Sequence, residues 1–92
     1  MSKMRERHEQ LEKEIGEMYG QEISEVINEL ERATKNFPSM VSAHEGYAIL
    51  KEEVDELWDE VKEQHGVRDQ ARMRDEAKQI AAMAIRFMRD LT

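Results

Sequence analysis

The sequence contains no cysteine, only one proline and few aromatic residues. Without cysteine the chain can form neither a disulfide nor a thiolate metal site. An unstapled chain of this kind suits a reducing compartment, so we expect a cytoplasmic protein. No apolar run approaches the length of a membrane span, and the N-terminus is too polar for a secretory signal.

Positive charge is also scarce. Lys and Arg number 14 against 21 Asp and Glu, which gives a formal net charge of −7. An acidic chain without a basic cluster is a poor candidate for binding a polynucleotide or an anionic membrane. We therefore expect neither of these as a partner.

Residues that favour helices are abundant, chiefly Glu, Met, Ala, Leu, Lys and Arg,. No segment shows the sustained period-two alternation that is typical of strands. A length of 92 residues leaves room for one modest core,. We predict an all-α fold, an antiparallel bundle of three to four helices.

The chain divides at about residue 20. Residues 1–20 are rich in charge and contain two glycines that weaken a helix, so we predict a charged N-terminal helical arm,. Residues 21–92 are predicted to form the helical core. The first core helix should begin at Gln21 and end before Pro38, because proline cannot continue a helix.

The stretch from Ser42 to Gln64 predicts the central helix. Ser42 and Glu45 form a capping-box pattern at its start, and His65-Gly66 is a stop signal at its end,. Its apolar residues recur at spacings of three and four, which is typical of a buried helical stripe. The members of that stripe are Ala43, Tyr47, Leu50, Val54, Leu57 and Val61.

A second column beside this stripe is acidic and includes neither Lys nor Arg. It consists of Glu45, Ile49, Glu52, Glu53, Glu56 and Glu60. Like charges one turn apart repel each other on a helix, so a divalent metal ion is a plausible neutralising partner. The alternative is an acidic face that water solvates.

The last helix is predicted from Gln70 to Leu91, with Asp69 as its N-cap,. Its apolar arc covers more than half of its circumference, which indicates burial on more than one side. Three helices cannot cover such an arc, so we predict completion by oligomerisation, as a homodimer or homotetramer. The arc comprises Met73, Ala77, Ile80, Ala81, Met83, Ala84, Ile85, Phe87, Met88 and Leu91.

One edge of that arc carries polar residues that can face the acidic column if the two long helices pack antiparallel. These are Arg72, Glu76, Gln79 and Arg86. Carboxylates from two facing helices build the oxygen-lined metal sites of helical bundles, and Mg²⁺ prefers oxygen ligands. Arg72 and Arg86 could hold phosphates there, or could pair with neighbouring acids on the surface.

The spacing Glu53-x-x-Glu56, followed by Glu76-x-x-Gln79, resembles that of the MazG-like all-α nucleoside triphosphate pyrophosphohydrolases. That family carries E-x-x-E on one helix and E-x-x-D on the next. The flanking segments AHEGYAILKEEVDELWDEV and EAKQIAAMAIRFMRDL are also similar. The resemblance covers residues 21–91, and it departs from the family pattern at Gln79, where aspartate is usual.

The resemblance implies a Mg²⁺-dependent hydrolase that cleaves (deoxy)nucleoside triphosphates to a monophosphate and pyrophosphate. Carried over by position, Glu53, Glu56 and Glu76 would be metal ligands, and Gln79 could ligate through its carbonyl oxygen. Glu52 would be a ligand or a base that orients water, so that Glu52 and Glu53 would be the catalytic residues. Because Gln79 brings no negative charge, the alternative is a non-catalytic helical nucleotide-binding or assembly protein with a degenerate metal site.

Overall fold

The computed structural model describes residues 2–63 and 69–92. Three α-helices lie in these ranges: α1 spans Ser2–Asn36, α2 spans Ala43–Val61 and α3 spans Gln70–Leu91. The described residues include no strand, so the prediction of an all-α fold is confirmed. None of the described helices is long and apolar enough to cross a membrane.

Helix α1 continues through the predicted boundary at residue 20 but changes direction there. Tyr19 has non-helical angles (φ −123°, ψ 15°), and Gly20 follows it. Residues 2–19 are all exposed to solvent, whereas Glu29 and Ala33 further along the same helix are buried. The predicted arm is therefore a helix that extends beyond the packed part of the molecule.

Both predicted N-caps form. The Ser42 hydroxyl accepts from the Glu45 backbone N–H at 3.1 Å, and an Asp69 carboxylate oxygen accepts from the Arg72 N–H at 3.1 Å. Helix α2 ends at Val61, earlier than the predicted Gln64, and the N–H of the C-capping residue Lys62 bonds to the Trp58 carbonyl. The predicted stop at residues 65–66 lies outside the described residues.

Helix α3 packs against both other helices, and among the described residues α1 and α2 do not pack on each other. The end of α2 meets the start of α3, where Glu60 and Arg72 approach to 3.8 Å. These two helices are therefore antiparallel. Near the start of α3, Arg74 pairs with Glu25 of α1 at 2.5 Å. Near the end of α3, Arg86 donates to the carbonyl of Pro38, which follows α1. Helix α1 therefore runs parallel to α3.

The connection between α1 and α2 is tied to the C-terminal half of α3 by two hydrogen bonds. Arg86 donates to the Pro38 carbonyl at 2.7 Å, and the Met40 backbone N–H donates to an Asp90 carboxylate oxygen at 3.0 Å. The Met40 side chain is buried and belongs to the core. This short segment therefore closes one end of the space between α1 and α2.

The core is thin, because only four apolar side chains of the described residues are buried, two alanines and two methionines. They are Ala33, Met40, Ala82 and Met83, and the partly buried side chains of Val26, Leu30, Ile49, Leu50, Phe87 and Leu91 pack against them. Gly46 is also buried, and a Cβ atom added to it would lie 2.6 Å from the Phe87 ring. Gly46 therefore lets the start of α2 approach the end of α3 closely.

Helix α2 is rotated relative to the orientation that its apolar stripe predicts. Tyr47 and Val54 of that stripe are exposed, as is Trp58 beside it. The acidic column instead faces α3, where Glu53 and Glu56 are half-buried. The prediction that the stripe Ala43 to Val61 forms the buried face was therefore wrong for half of its members. Ala43, Tyr47 and Val54 are exposed, whereas Leu50, Leu57 and Val61 share the inner side with the carboxylates.

Candidate metal and anion site

Three carboxylates converge between α2 and α3. One oxygen from each of Glu53, Glu56 and Glu76 lies within 4.8 Å of those from the other two, and all three side chains are half-buried. Glu53 and Glu56 are one turn apart on α2, and the antiparallel packing brings Glu76 of α3 against them. This cluster could bind a metal ion, as the spacing of the acids on two helices predicts.

Within residues 2–63 and 69–92, two oxygens of this cluster are buried without a hydrogen-bond partner. One belongs to Glu53 and the other to Glu76. Burial, followed by the neighbouring Glu56 and Glu76 carboxylates, raises the pKa of Glu53 to about 7. Burial and the adjacent Glu56 also raise the pKa of Glu76.

Carboxylates in this state fit a hard divalent cation. A buried charged group without a partner is costly, and Mg²⁺ and Ca²⁺ both take oxygen ligands, among them carboxylates. A cation bound there would offset both the burial and the mutual repulsion of the three acids. The geometry does not distinguish Mg²⁺ from other oxygen-seeking cations.

Two of these carboxylates, those of Glu53 and Glu56, line a cavity of about 480 Å³. All three helices and the α1–α2 connection contribute to its walls, including Glu52, Glu53 and Glu56 of α2. The residues of α3 that line it include Gln79 and Arg86. A volume of this size is within the range of small-molecule sites.

The two arginines that were predicted to bind phosphate lie in different places. Arg86 is only 8% exposed and lines the cavity, where it donates to the Pro38 carbonyl and approaches the Met83 sulfur at 3.8 Å. Arg72 is an exposed residue at the other end of α3 and lies near Glu60 and Asp69. Of the pair, Arg86 is therefore the residue that the fold brings to the cavity beside the acids.

Glu52 and Gln79 also line the cavity but differ from the three clustered carboxylates. Glu52 is exposed. Its charge makes the smallest of the contributions that raise the pKa of Glu53. The Gln79 side-chain amide donates to Asp75 on its own helix at 2.9 Å. Whether Gln79 ligates a metal and whether Glu52 orients water remain predictions.

The sequence reasoning missed two residues that α1 contributes to the same cavity. Glu29 is 7% exposed, and it accepts two hydrogen bonds from Arg32, at 3.0 Å from Nε and 2.5 Å from Nη2. The apolar spacing of α1 points to Ile23, Val26 and Leu30 and gives no sign that Glu29 faces inward. Only the packing of α1 on α3 places this ion pair.

No protein-family model, curated protein or solved structure matches the chain. The resemblance to the MazG-like enzymes therefore depends on the residues themselves. What can be assigned to the site comes from its geometry and charge.

Proposed function

We propose that the protein is a Mg²⁺-dependent, MazG-like nucleotide pyrophosphohydrolase that cleaves (deoxy)nucleoside triphosphates to a monophosphate and pyrophosphate. The observation that supports the proposal is the convergence of Glu53, Glu56 and Glu76 at the wall of a cavity that Glu53 and Glu56 line together with a buried arginine, Arg86. Clustered carboxylates suit a divalent cation, and a guanidinium suits a phosphate. A nucleoside triphosphate with its bound metal ion supplies both the cation for the carboxylates and the phosphates for the guanidinium.

Five residues have roles in this proposal, and Glu53 has two of them. Glu53, Glu56 and Glu76 hold the metal, which when bound polarises a phosphoryl oxygen and lowers the pKa of bound water. Glu52, at the exposed side of the cavity, orients and deprotonates the attacking water together with Glu53. Arg86 binds a phosphate oxygen, since its Nη2 group is held by the Pro38 carbonyl and its burial strengthens the attraction,.

We also propose that the protein is a homo-oligomer, either a dimer or a tetramer, in the cytosol. Exposed apolar side chains lie on each of the three helices: Ile27 on α1, Tyr47, Val54 and Trp58 on α2, and Ile85 and Met88 on α3. The small core leaves a chain of this size with little apolar burial of its own. A second copy that covers these surfaces would supply the missing burial.

The competing function is nucleotide binding without turnover, in a non-catalytic helical binding or assembly protein. The observation that favours it is the hydrogen bond from Gln79 to Asp75, which engages Gln79 away from the three-carboxylate cluster. Position 79 therefore adds no carboxylate to the cluster, and the three clustered acids alone are suited to one cation rather than two.

Pyrophosphate release separates the two functions. The purified protein is incubated with a panel of standard and modified nucleoside triphosphates, with Mg²⁺ or with EDTA, and pyrophosphate is measured. We expect Mg²⁺-dependent release from at least one nucleotide, and its loss in Glu56→Gln but not in Glu9→Gln, which makes the same change on the exposed arm. Metal-dependent nucleotide binding without any release would exclude the hydrolase and support the non-catalytic function.

A further inference from the structure

The ion pair between Glu29 and Arg32 has features that a surface salt bridge does not require. Several ion pairs among the described residues join exposed side chains on the same helix, such as Lys51 with Asp55. In the α1 pair the carboxylate is buried and only the guanidinium reaches solvent: 8% of the Glu29 side chain is exposed, against 53% of Arg32. Burying the Glu29 carboxylate costs free energy, and the buried carboxylate holds the Arg32 guanidinium in a fixed position.

The hydrogen bonds of Arg32 leave part of its guanidinium unused. Nε and Nη2 donate to the two oxygens of Glu29 in a bidentate pair. Nη1 makes no hydrogen bond to any residue in the described ranges 2–63 and 69–92. Guanidinium groups commonly bind phosphate through the N–H groups that remain after one edge has been fixed by a carboxylate.

Arg32 is also close enough to the metal-binding acids to sense their charge. Glu29 is the main cause of the raised pKa of Arg32, and Asp75 and Glu53 contribute through their charges. Arg32 and Arg86 are the cationic residues of the cavity, which contains five glutamates: Glu29, Glu45, Glu52, Glu53 and Glu56. A polyphosphate that entered this acidic cavity would need cations beyond the metal itself.

We propose that Arg32 is a phosphate-binding residue of the cavity and that Glu29 is its positioning residue. The inference depends on the proposed function, because it states that Arg32 of α1 binds the polyphosphate of the nucleotide. Arg86 holds phosphate from the buried side of the cavity, and Arg32 holds it from the solvent side. The phosphates of the substrate are thereby bound by residues of two different helices, Arg32 of α1 and Arg86 of α3.

Binding titrations test this assignment without requiring turnover. Calorimetry measures the affinity of the full chain for Mg²⁺-pyrophosphate and for a non-hydrolysable nucleoside triphosphate. We expect Arg32→Gln to weaken both by about 10- to 100-fold, as for the loss of a charged hydrogen bond. Arg32→Lys should recover part of that loss, since it keeps the charge, and Glu29→Gln should weaken binding less than Arg32→Gln.

Two controls separate this role from a structural one. Mg²⁺ titrated alone should bind Arg32→Gln as well as it binds the unaltered chain. The thermal midpoint of Arg32→Gln should fall, because the buried Glu29 carboxylate loses its partner, so all titrations are made well below the midpoint of every variant,. Arg89→Gln removes the same charge from a neighbouring cavity that Glu53 and Glu56 do not line, and it should bind pyrophosphate normally.

The outcomes are distinguishable. If the unaltered chain binds polyphosphate and Arg32→Gln and Arg32→Lys bind it equally well, the assignment of Arg32 is wrong while the proposed function stands. If the unaltered chain binds neither ligand with Mg²⁺, both the proposed function and this inference fail. Equal losses in Arg32→Gln and Arg89→Gln would indicate a general effect of charge and would also overturn the assignment.

Discussion

Replacing Glu53 by Gln should make the metal-free protein more stable at neutral pH. The pKa of Glu53 is raised to about 7 from its usual 4.5 by burial and by neighbouring carboxylates. The folded state therefore binds the Glu53 proton more tightly than the unfolded state does. Stability from this group is greatest below pH 4.5, and it is lost as the pH rises through about 7.

The size of the effect follows from the same two values. The difference between 4.5 and about 7 corresponds to roughly 3 kcal/mol,. Solvent reaches this half-buried side chain through the cavity, and screening reduces the effect to about 1–2 kcal/mol. In a domain of this size such a gain raises the thermal midpoint by on the order of 5–10 °C.

The assay is thermal or urea denaturation of Glu53→Gln and the unaltered chain, in EDTA and in Mg²⁺, between pH 4 and 8. In EDTA at pH 8 the variant should be the more stable, and its advantage should disappear towards pH 4. Mg²⁺ should stabilise the unaltered chain, because it binds the folded state, but should not stabilise the variant. The Glu9→Gln control should match the unaltered chain throughout.

A Glu53→Gln variant that is less stable than the unaltered chain in EDTA at pH 8 would contradict this reasoning. It would mean that the Glu53 carboxylate already has a favourable partner in the folded protein. An equal Mg²⁺ response of the two chains would remove Glu53 from the metal site.

Three further predictions concern packing, catalysis and assembly. Gly46→Ala should destabilise the fold by about 1 kcal/mol in urea denaturation, because the added Cβ meets the Phe87 ring,. Gly16→Ala should not, because the space around Gly16 is open. Equal effects of the two changes would contradict the close approach of α2 to α3. Gln79→Asp should raise the rate of pyrophosphate release in the presence of Mg²⁺, because it adds a carboxylate at this position. An unchanged rate would place residue 79 outside the metal shell. Trp58→Glu should lower the oligomeric mass in sedimentation equilibrium if its exposed face is covered by a second copy, and a monomeric unaltered chain would refute that assembly.

Local signals in the sequence were sufficient to locate the helices of the core. Ser42 and Asp69 accept the N-terminal hydrogen bonds that their side chains predict, and Pro38 lies just beyond α1. The spacing of the acids was also sufficient to predict a carboxylate cluster, because Glu53 and Glu56 share a face and an antiparallel neighbour brings Glu76 to them. These properties depend on residues close in sequence or on one simple packing rule.

The orientation of α2 could not be predicted in the same way. Its apolar stripe and its acidic column lie next to each other, and hydrophobicity alone favours burial of the stripe. The structure instead turns the acids inward and leaves Tyr47 and Trp58 exposed. A metal-binding column and a surface for a second copy would together account for this rotation, and neither is visible in the periodicity.

The contributions of α1 and of the connection depend on tertiary packing. The burial of Glu29 and Met40 follows from the packing of α1 and the connection against the rest of the bundle, including the hydrogen bond from Met40 to Asp90. No local spacing marks either residue. The position of Arg32 in the cavity that Glu53 and Glu56 also line could be inferred only after this packing was known.

The kink at Tyr19 divides α1 into two lengths of helix that are constrained very differently. Residues 2–18 are exposed along their whole length, so most replacements there should alter little in the folded chain,. From Glu29 onward, the helix carries both part of the core and a wall of the cavity. A complete substitution scan of α1 should therefore show tolerance that falls sharply beyond the kink, within what is formally a single helix.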